Sequence, residues 1–291
     1  MLITLLSALG PAVADPPVIV AFGDSITLGP GMQPGETYPE QLQALLVAKL
    51  GDAAPQVINA GQGGNTVLAG LSRMERDVLA RHPRFVLIGF GMNDSAMRAA
   101  NEPKVAPDVF REKLGEMIAR VRAIGAQTIL ATLTPVVEEY YFERHPRDWY
   151  PDGLKADLAR YDAAIKSLAE ETQSPLVDLS GLDPAVHIRL PENTGLRDGV
   201  HPTAAGYGVI AAAYAQVLLP LLSVSRGASV CPSPLLGHLD RPPLAHGALH
   251  GEAAGNAAGG VAACDQRRPP GADAVHEVRD LGDEVARALL G

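Results

Sequence analysis

The amino-acid sequence predicts an α/β fold in which a five-stranded parallel sheet lies between two layers of helices. Five short runs of apolar, mostly β-forming residues are separated by longer segments, and most of these segments have apolar residues at helical spacing. Strands that alternate with helices in this way form parallel sheets through right-handed crossovers. Five such strands favour a flavodoxin-like, doubly wound sheet with three layers, α/β/α.

The predicted strands are short, and turn-forming or polar residues follow them. They cover residues 18–22, 56–60, 84–90, 128–132 and 176–179. After the first strand, Thr37 is suited to cap a helix that runs to Leu50, and Gly51 follows the end of that helix. The other predicted helices cover residues 67–80, 107–124, 154–172 and 202–222.

One segment, residues 138–152, contains a large share of the aromatic side chains. Its members are Tyr140, Tyr141, Phe142, Trp149 and Tyr150. The segment has no clear helical or strand pattern, so we expect a loop or lid rather than a core element. Tyr140, Tyr141, Trp149 and Tyr150 are therefore candidate substrate-binding residues, because aromatic rings can stack on a ligand or form the wall of a pocket.

The composition is that of a globular protein which can bury a core. Hydrophobic residues make up 47% of the 291 residues and charged residues 20%. The formal net charge is −9 and no stretch is rich in Lys and Arg. This charge disfavours nucleic acids and anionic membrane surfaces as partners.

The N-terminus resembles a secretory signal. An apolar run precedes Ala12-x-Ala14, which predicts a signal over residues 1–14, cleavage after Ala14, and a secreted or periplasmic protein. The alternative is an apolar N-terminus without a targeting role. We expect no stable membrane insertion after signal removal, because this run is too short to span a bilayer and no other stretch is expected to do so.

One folded domain is expected to cover residues 16–222, and the composition changes after it. Residues 223–291 lack Phe, Tyr and Trp and are rich in Ala, Gly and Pro. We expect a poorly ordered tail with one amphipathic helix over residues 274–290; a small accessory domain and a frameshifted end are the alternatives. The two cysteines, Cys231 and Cys264, lie in this tail, where export would permit a disulfide.

Residues suited to catalysis follow the predicted strands or lie in the last loop. Ser25 follows the first strand, Gly64 the second and Asn93 the third, while Asp198 and His201 follow the fifth. Each residue alone has a structural explanation, such as a turn or a helix cap. Because the carboxyl ends of parallel strands meet at one edge of the sheet, we expect these five residues to lie together.

Four short motifs in this order resemble the GDSL, or SGNH, hydrolase family. They are Gly23-Asp24-Ser25, the region of Gly64, Gly91-x-Asn93-Asp94 and Asp198-x-x-His201, and the resemblance covers residues 18–222. Two positions depart from the family pattern. Ile26 replaces the leucine that gives the family its name, and Met92 replaces a small residue and narrows the expected pocket mouth.

The resemblance implies the SGNH hydrolase fold and a serine esterase that needs no cofactor and no metal. Ser25 would be the nucleophile, His201 its base and Asp198 the carboxylate that orients His201. The oxyanion would be bound by the backbone N–H groups of Ser25 and Gly64 and by the Asn93 amide, with Gly61 and Gly63 as competitors for the role of Gly64.

The implied substrate is a small-molecule ester or an acylated sugar. We expect a short-chain carboxylesterase or arylesterase, with a carbohydrate O-acetylesterase next and a lysophospholipase or thioesterase as a further alternative. A binding module on the same fold is the alternative without catalysis.

Other combinations of residues explain the sequence less well. Asp183 and His187 are a second candidate pair, but no family motif surrounds them. Asp24 and Asp94 could be the paired carboxylates of a glycosidase, but this interpretation gives Ser25 no role. Residues 61–64 lack the third glycine and the lysine of nucleotide-binding loops. The spacing of Cys231, His238, His246 and His250 fits no usual metal site.

Overall fold

The computed structural model describes residues 17–195 and 198–224. A central sheet of five parallel strands has the order β2-β1-β3-β6-β7. Its strands are β1 (Val18–Gly23), β2 (Gln56–Gly61), β3 (Phe85–Gly89), β6 (Gln127–Ala131) and β7 (Leu176–Val177). A separate antiparallel pair, β4 (Met97–Ala99) and β5 (Glu102–Pro103), follows β3 in the chain. The predicted five-stranded, doubly wound α/β fold is confirmed.

Helices cover both faces of the sheet. Short helices are α1 (Ser25–Leu28), α4 (Met92–Ser95), α6 (Glu138–Tyr141), α8 (Pro184–His187) and α9 (Pro191–Thr194). The long helices are α2 (Tyr38–Leu50), α3 (Val67–Asp77), α5 (Pro107–Ala123), α7 (Leu154–Thr172) and α10 (Ala204–Val224). Side chains of α3, α5 and α7 form the core on one face, and those of α2 and α10 form the core on the other.

Alternation along the strands explains the two cores. In β1, Val20 and Phe22 belong to the core under α3, α5 and α7, whereas Ile19 and Ala21 belong to the core under α2 and α10. Successive side chains of a strand point to opposite faces. A strand that is apolar at every position is therefore buried on both sides, and its carboxyl end is left as the accessible edge.

The last helix corrects one expectation about membranes. Within Ala204–Ser223, a window of 18 residues has a mean hydropathy of 1.6, so this helix is long and apolar enough to cross a bilayer, contrary to the expectation above. In the structure Tyr207, Ile210 and Leu218 of this helix are buried against the sheet and α2. The Tyr214 ring stacks on Tyr38 of α2, with 5.3 Å between ring centroids. The helix therefore owes its apolar composition to the core of the domain.

The aromatic segment corrects another expectation. Tyr141 and Tyr150 are buried, and their hydroxyl groups form a hydrogen bond of 2.8 Å with each other. The Tyr150 hydroxyl also accepts a hydrogen bond of 3.1 Å from the Met97 N–H of β4. These two rings belong to a small core with Met97 and Leu154, so they are not free to stack on a substrate.

Several predictions concern residues outside the described ranges. These are the signal over residues 1–14, nearly all of the tail over residues 223–291 with its helix, and the pairing of Cys231 with Cys264.

Candidate active site

Ser25 stands at the carboxyl end of β1, on the first turn of α1. The Asp24 carboxylate begins this helix by accepting a hydrogen bond of 2.8 Å from the Ile26 N–H. The strand can turn this sharply because Gly23 has no side chain: a Cβ there would clash with Thr27 and lie 2.6 Å from the Gly89 carbonyl oxygen. The turn presents the Ser25 hydroxyl at the sheet edge.

Ser25, His201 and Asp198 form a continuous hydrogen-bonded chain. The distance from Ser25 Oγ to His201 Nε2 is 2.8 Å, and His201 Nδ1 lies 3.0 Å from each carboxylate oxygen of Asp198. Asp198 Oδ1 also accepts from the N–H groups of Val200 (3.2 Å) and His201 (3.1 Å). Burial alone would raise the pKa of Asp198, but hydrogen bonding and the attraction of His201 bring that pKa below its usual value. The carboxylate thus stays ionised beside the imidazole.

Arg189, which the sequence reading missed, holds the loop that carries His201. Its buried guanidinium donates to the carbonyl oxygens of Pro202 (2.9 Å) and Pro30 (2.8 Å), and it lies 3.9 Å from Asp198 Oδ2. The backbone contributes as well, because the Arg189 N–H donates to the His201 carbonyl at 2.9 Å. No local motif marks this arginine, since its partners are distant in sequence or lie across the loop.

Asn93 lies in α4, after β3, and its amide faces the first two loops. Asn93 Nδ2 donates to Asp24 Oδ2 and to the Asn65 carbonyl oxygen, each at 3.2 Å. An amide nitrogen carries two hydrogens. In this resting state, both hydrogens are directed to protein acceptors, through bonds at the long end of the usual range.

Two buried carboxyl groups lie beneath these residues. Burial raises the pKa of Asp24 to about 6, despite its bond to Ile26 and the attraction of His201. Burial also raises the pKa of Asp94 to about 7, and the charge of Asp24 adds to this shift. Asp94 Oδ1 accepts from the Val67 N–H at 2.9 Å, whereas its Oδ2 has no hydrogen-bond partner in the described residues.

The glycines after β2 have three different environments. Gly61 packs so closely on α1 that a Cβ there would lie 2.7 Å from Leu28 Cα. Gly64 has a left-handed conformation with φ of 76° and is exposed. Gly63 lies beside the nucleophile, since its Cβ would be 4.0 Å from Ser25 Cβ. Packing explains Gly61, which leaves Gly63 and Gly64 as the residues suited to donate an N–H to an oxyanion.

A small cavity adjoins the turn that carries Ser25. The volume of the cavity is about 40 Å³, which is room for roughly three waters. Most of the wall is apolar and includes Ile26, Phe90, Met92, Leu133, Leu179 and Ile210. A larger groove of about 410 Å³ shares Leu133 and Thr134 with this cavity. Tyr140, Tyr141, Trp149 and Tyr150 line neither space.

The other candidate sites have structural roles. Asp183 caps α8 by accepting from the Ala185 N–H, and His187 Nδ1 accepts from the Asp183 N–H at 3.0 Å. Asp24 and Asp94 are both buried and bound to backbone N–H groups, which is unsuitable for a glycosidase pair. Within the described ranges no three His, Cys, Asp or Glu residues are grouped as metal ligands, and His238, His246 and His250 lie outside them.

Comparison with known proteins identifies the family. The model of the GDSL-like lipase/acylhydrolase family matches residues 21–209. The chain belongs to this family. The matched range contains Ser25, Gly64, Asn93, Asp198 and His201, and the protein is an ester hydrolase.

Named relatives agree with this assignment. An uncharacterized lipoprotein of Bacillus subtilis, YqeF, is 30% identical over 55% of this chain and 69% of its own length. An acetylxylan esterase of Geobacillus stearothermophilus is 29% identical over 62% of this chain and 80% of its own length. The crystal structure of the acetyl xylan esterase AlAXEase has a TM-score of 0.55 and 26% identity, over 69% of this chain and 98% of that one.

Proposed function

We propose that this protein is a serine esterase which hydrolyses esters of short-chain acids through an acyl-enzyme intermediate on Ser25. The observation that carries the proposal is the chain of hydrogen bonds from Ser25 Oγ through His201 to Asp198, at 2.8 and 3.0 Å. A serine hydroxyl becomes a nucleophile when a base accepts its proton, and the imidazole is in direct contact with that proton.

In the first step Ser25 Oγ attacks the ester carbonyl carbon while its proton passes to His201 Nε2. Asp198 keeps the His201 Nδ1–H directed away from the serine and stabilises the imidazolium that forms. The carbonyl oxygen of the ester becomes an oxyanion. When the C–O bond to the alcohol breaks, His201 donates its proton to the leaving alcohol, and the acyl group remains on Ser25.

The oxyanion requires donors that are in place before the reaction. Ser25 is the first residue of α1, and the N–H groups in the first turn of a helix have no acceptor within the helix. The N–H of Gly64, with Gly63 as the alternative, lies in the neighbouring loop. Asn93 would exchange its 3.2 Å bond to the Asn65 carbonyl oxygen for a bond to the oxyanion, and the charged acceptor makes that bond stronger than the one it replaces.

The second step returns the enzyme to its starting state. His201 accepts a proton from water, the resulting hydroxide attacks the acyl carbonyl, and the bond to Ser25 Oγ breaks. Ser25 recovers its proton from His201 as the carboxylic acid leaves. Since His201 acts as base and then acid in both steps, loss of its Asp198 partner affects both.

The small cavity supports short acyl groups. Its free space of about 40 Å³ suits the three non-hydrogen atoms of an acetyl group and not a long fatty chain, and Met92 occupies part of its wall. A carbohydrate O-acetylesterase is the second candidate, since two of the relatives above are named acetylxylan esterases. The adjoining groove of about 410 Å³ is large enough for a sugar.

A substrate series tests this proposal. Rates are measured with p-nitrophenyl esters from acetate to palmitate and with acetylated xylan, on the wild type and on Ser25→Ala. We expect acetate to butyrate to give the highest kcat/KM and Ser25→Ala to lose nearly all activity. A preference for palmitate would overturn the short-acyl assignment, and equal rates for the two proteins would overturn the serine assignment.

We also infer that the protein is exported. The apolar N-terminal run, the Ala12-x-Ala14 sequence and the lipoprotein relative support this inference. N-terminal sequencing of the protein from its native host tests it: export predicts a mature chain that begins at Asp15, and an intact Met1 in the cytosolic fraction would contradict it.

A further inference from the structure

Arg73, in α3, is a buried arginine that joins the three segments on which the oxyanion donors lie. Its side chain is only 7% exposed. A buried guanidinium is costly unless its donors are satisfied. Four of its five N–H groups donate hydrogen bonds here, and only one of these bonds goes to an acidic side chain. The arrangement therefore serves more than a simple ion pair.

Two of the four bonds join the ends of neighbouring strands. One terminal nitrogen donates to the Gly23 carbonyl oxygen at 2.8 Å, and the other donates to the Ala60 carbonyl oxygen at 2.8 Å. Gly23 is two residues before Ser25, and Ala60 is the last residue but one of β2, the strand that leads to Gly63 and Gly64. The planar guanidinium thus sets the spacing between the nucleophile turn and the glycine loop.

The third bond extends the connection to Asn93. Arg73 Nε donates to Asn65 Oδ1 at 2.7 Å, and the carbonyl oxygen of the same Asn65 accepts from Asn93 Nδ2 at 3.2 Å. Hydrogen bonds therefore fix both the side chain and the backbone carbonyl group of Asn65. A shift of Arg73 would move the glycine loop and the acceptor of the Asn93 amide together.

The remaining contacts hold the guanidinium in place. Asp77, one turn later in α3, accepts from Arg73 at 3.1 Å. Arg73 Cζ also lies 4.5 Å from the centroid of the Phe22 ring in β1. The helix, the strand and the aromatic ring leave the side chain a single orientation.

We propose that Arg73 is a positioning residue for oxyanion stabilisation, which sets the relative positions of the Ser25 turn, the glycine loop and Asn93. This inference rests on the proposed function, because the oxyanion forms only in the acyl-transfer reaction. Arg73 itself touches neither the substrate nor the reacting atoms. Its effect is on kcat, since misplaced oxyanion donors weaken binding of the transition state and leave binding of the substrate largely unchanged.

The test compares Arg73→Ala and Arg73→Lys with Arg76→Ala. Arg76 is the matched control, because it binds the same Asp77 carboxylate but is 76% exposed and contacts neither loop. Hydrolysis of p-nitrophenyl acetate is followed, and kcat is calculated per folded molecule, whose concentration is taken from the amplitude of the urea-unfolding transition. Affinity for a trifluoromethyl ketone reports oxyanion binding directly.

We expect kcat per active site to fall about 100-fold in Arg73→Ala, with KM changed less than threefold. Arg73→Lys should recover part of the rate, since its ammonium reaches one carbonyl but cannot join two. Inhibitor affinity should fall in parallel with kcat, and Arg76→Ala should match the wild type. A smaller folded fraction with unchanged kcat per folded molecule would limit Arg73 to a role in folding and overturn the proposal.

Asn65→Ala keeps the proposal testable if Arg73→Ala does not fold. This variant removes the Asn65 Oδ1 acceptor and leaves both strand carbonyl groups bound to Arg73. We expect kcat to fall about tenfold, and an unchanged kcat in both Asn65→Ala and Arg73→Lys would overturn the inference. The wild type and Ser25→Ala separate the two proposals: if the wild type hydrolyses the ester and Ser25→Ala does not, the proposed function stands whatever Arg73 does.

Discussion

Replacement of Met92 by alanine should enlarge the acyl cavity and change acyl-chain selectivity. Met92 is 9% exposed and lines the cavity of about 40 Å³ beside the Ser25 turn. The substitution removes three non-hydrogen atoms, which is space for the two additional methylene groups of butyrate over acetate. Each buried methylene contributes about 0.8 kcal/mol, so two of them correspond to roughly a 15-fold change in kcat/KM.

The assay is the ratio of kcat/KM for p-nitrophenyl butyrate to that for the acetate. We expect this ratio to rise about tenfold in Met92→Ala, because part of the new space closes by relaxation. The loss of packing should cost about 2–5 kcal/mol of the free energy of unfolding, which urea denaturation measures. Met97→Ala is the matched control, since Met97 is 6% exposed but does not line the cavity. An unchanged ratio in Met92→Ala, or an equal rise in Met97→Ala, would refute the assignment of the cavity to the acyl group.

Two further predictions concern charged residues of the site and its surroundings. Asp198→Asn should lower kcat about 10³- to 10⁴-fold by removing the carboxylate that orients His201, whereas the kcat of Asp183→Asn should stay within about twofold of the wild-type value. Steady-state kinetics with p-nitrophenyl acetate measures both values. A large loss in Asp183→Asn and none in Asp198→Asn would instead make His187 the base. The free energy of unfolding should fall as pH rises from 5 to 8, because burial raises the pKa of Asp24 to about 6 and that of Asp94 to about 7. For a carboxyl group whose pKa is raised on folding, the stabilising contribution is complete below the unfolded pKa and is lost as pH rises through the folded one. Asp94→Asn should reduce this fall by up to about 3 kcal/mol, because each pH unit between 5 and the folded pKa of about 7 contributes about 1.4 kcal/mol. Urea denaturation at pH 5 and pH 8 measures the fall, and an equal fall in the two proteins would contradict the role of Asp94.

The parts of the fold that could be predicted depend on local patterns. Strand β1 is predicted by a short apolar run, and helix α2 by the helical spacing of its apolar residues and by Thr37 as its cap. Both signals lie within a few neighbouring residues. The strand ends also placed Ser25 and Asn93 on one edge, since parallel topology brings such residues together. These features needed no knowledge of distant contacts.

The features that could not be predicted depend on contacts between distant residues. Arg73 and Arg189 lie in helical or loop segments with no motif, and their partners become neighbours only in the folded chain. Tyr141 and Tyr150 lack the periodicity of a core element, yet the β4–β5 pair beside them provides a surface to bury them. The apolar composition of α10 likewise reflects its place under the sheet.

The proposed mechanism requires that Ser25 carry the acyl group during catalysis. The most direct test is rapid acid quenching of the enzyme during turnover of p-nitrophenyl butyrate, followed by mass spectrometry of its peptides. We expect a butyryl group on the peptide that contains Ser25, and its absence in Ser25→Ala, whose His201 and Asp198 are intact. A butyryl group on any other residue, or turnover by Ser25→Ala at the wild-type rate, would contradict it.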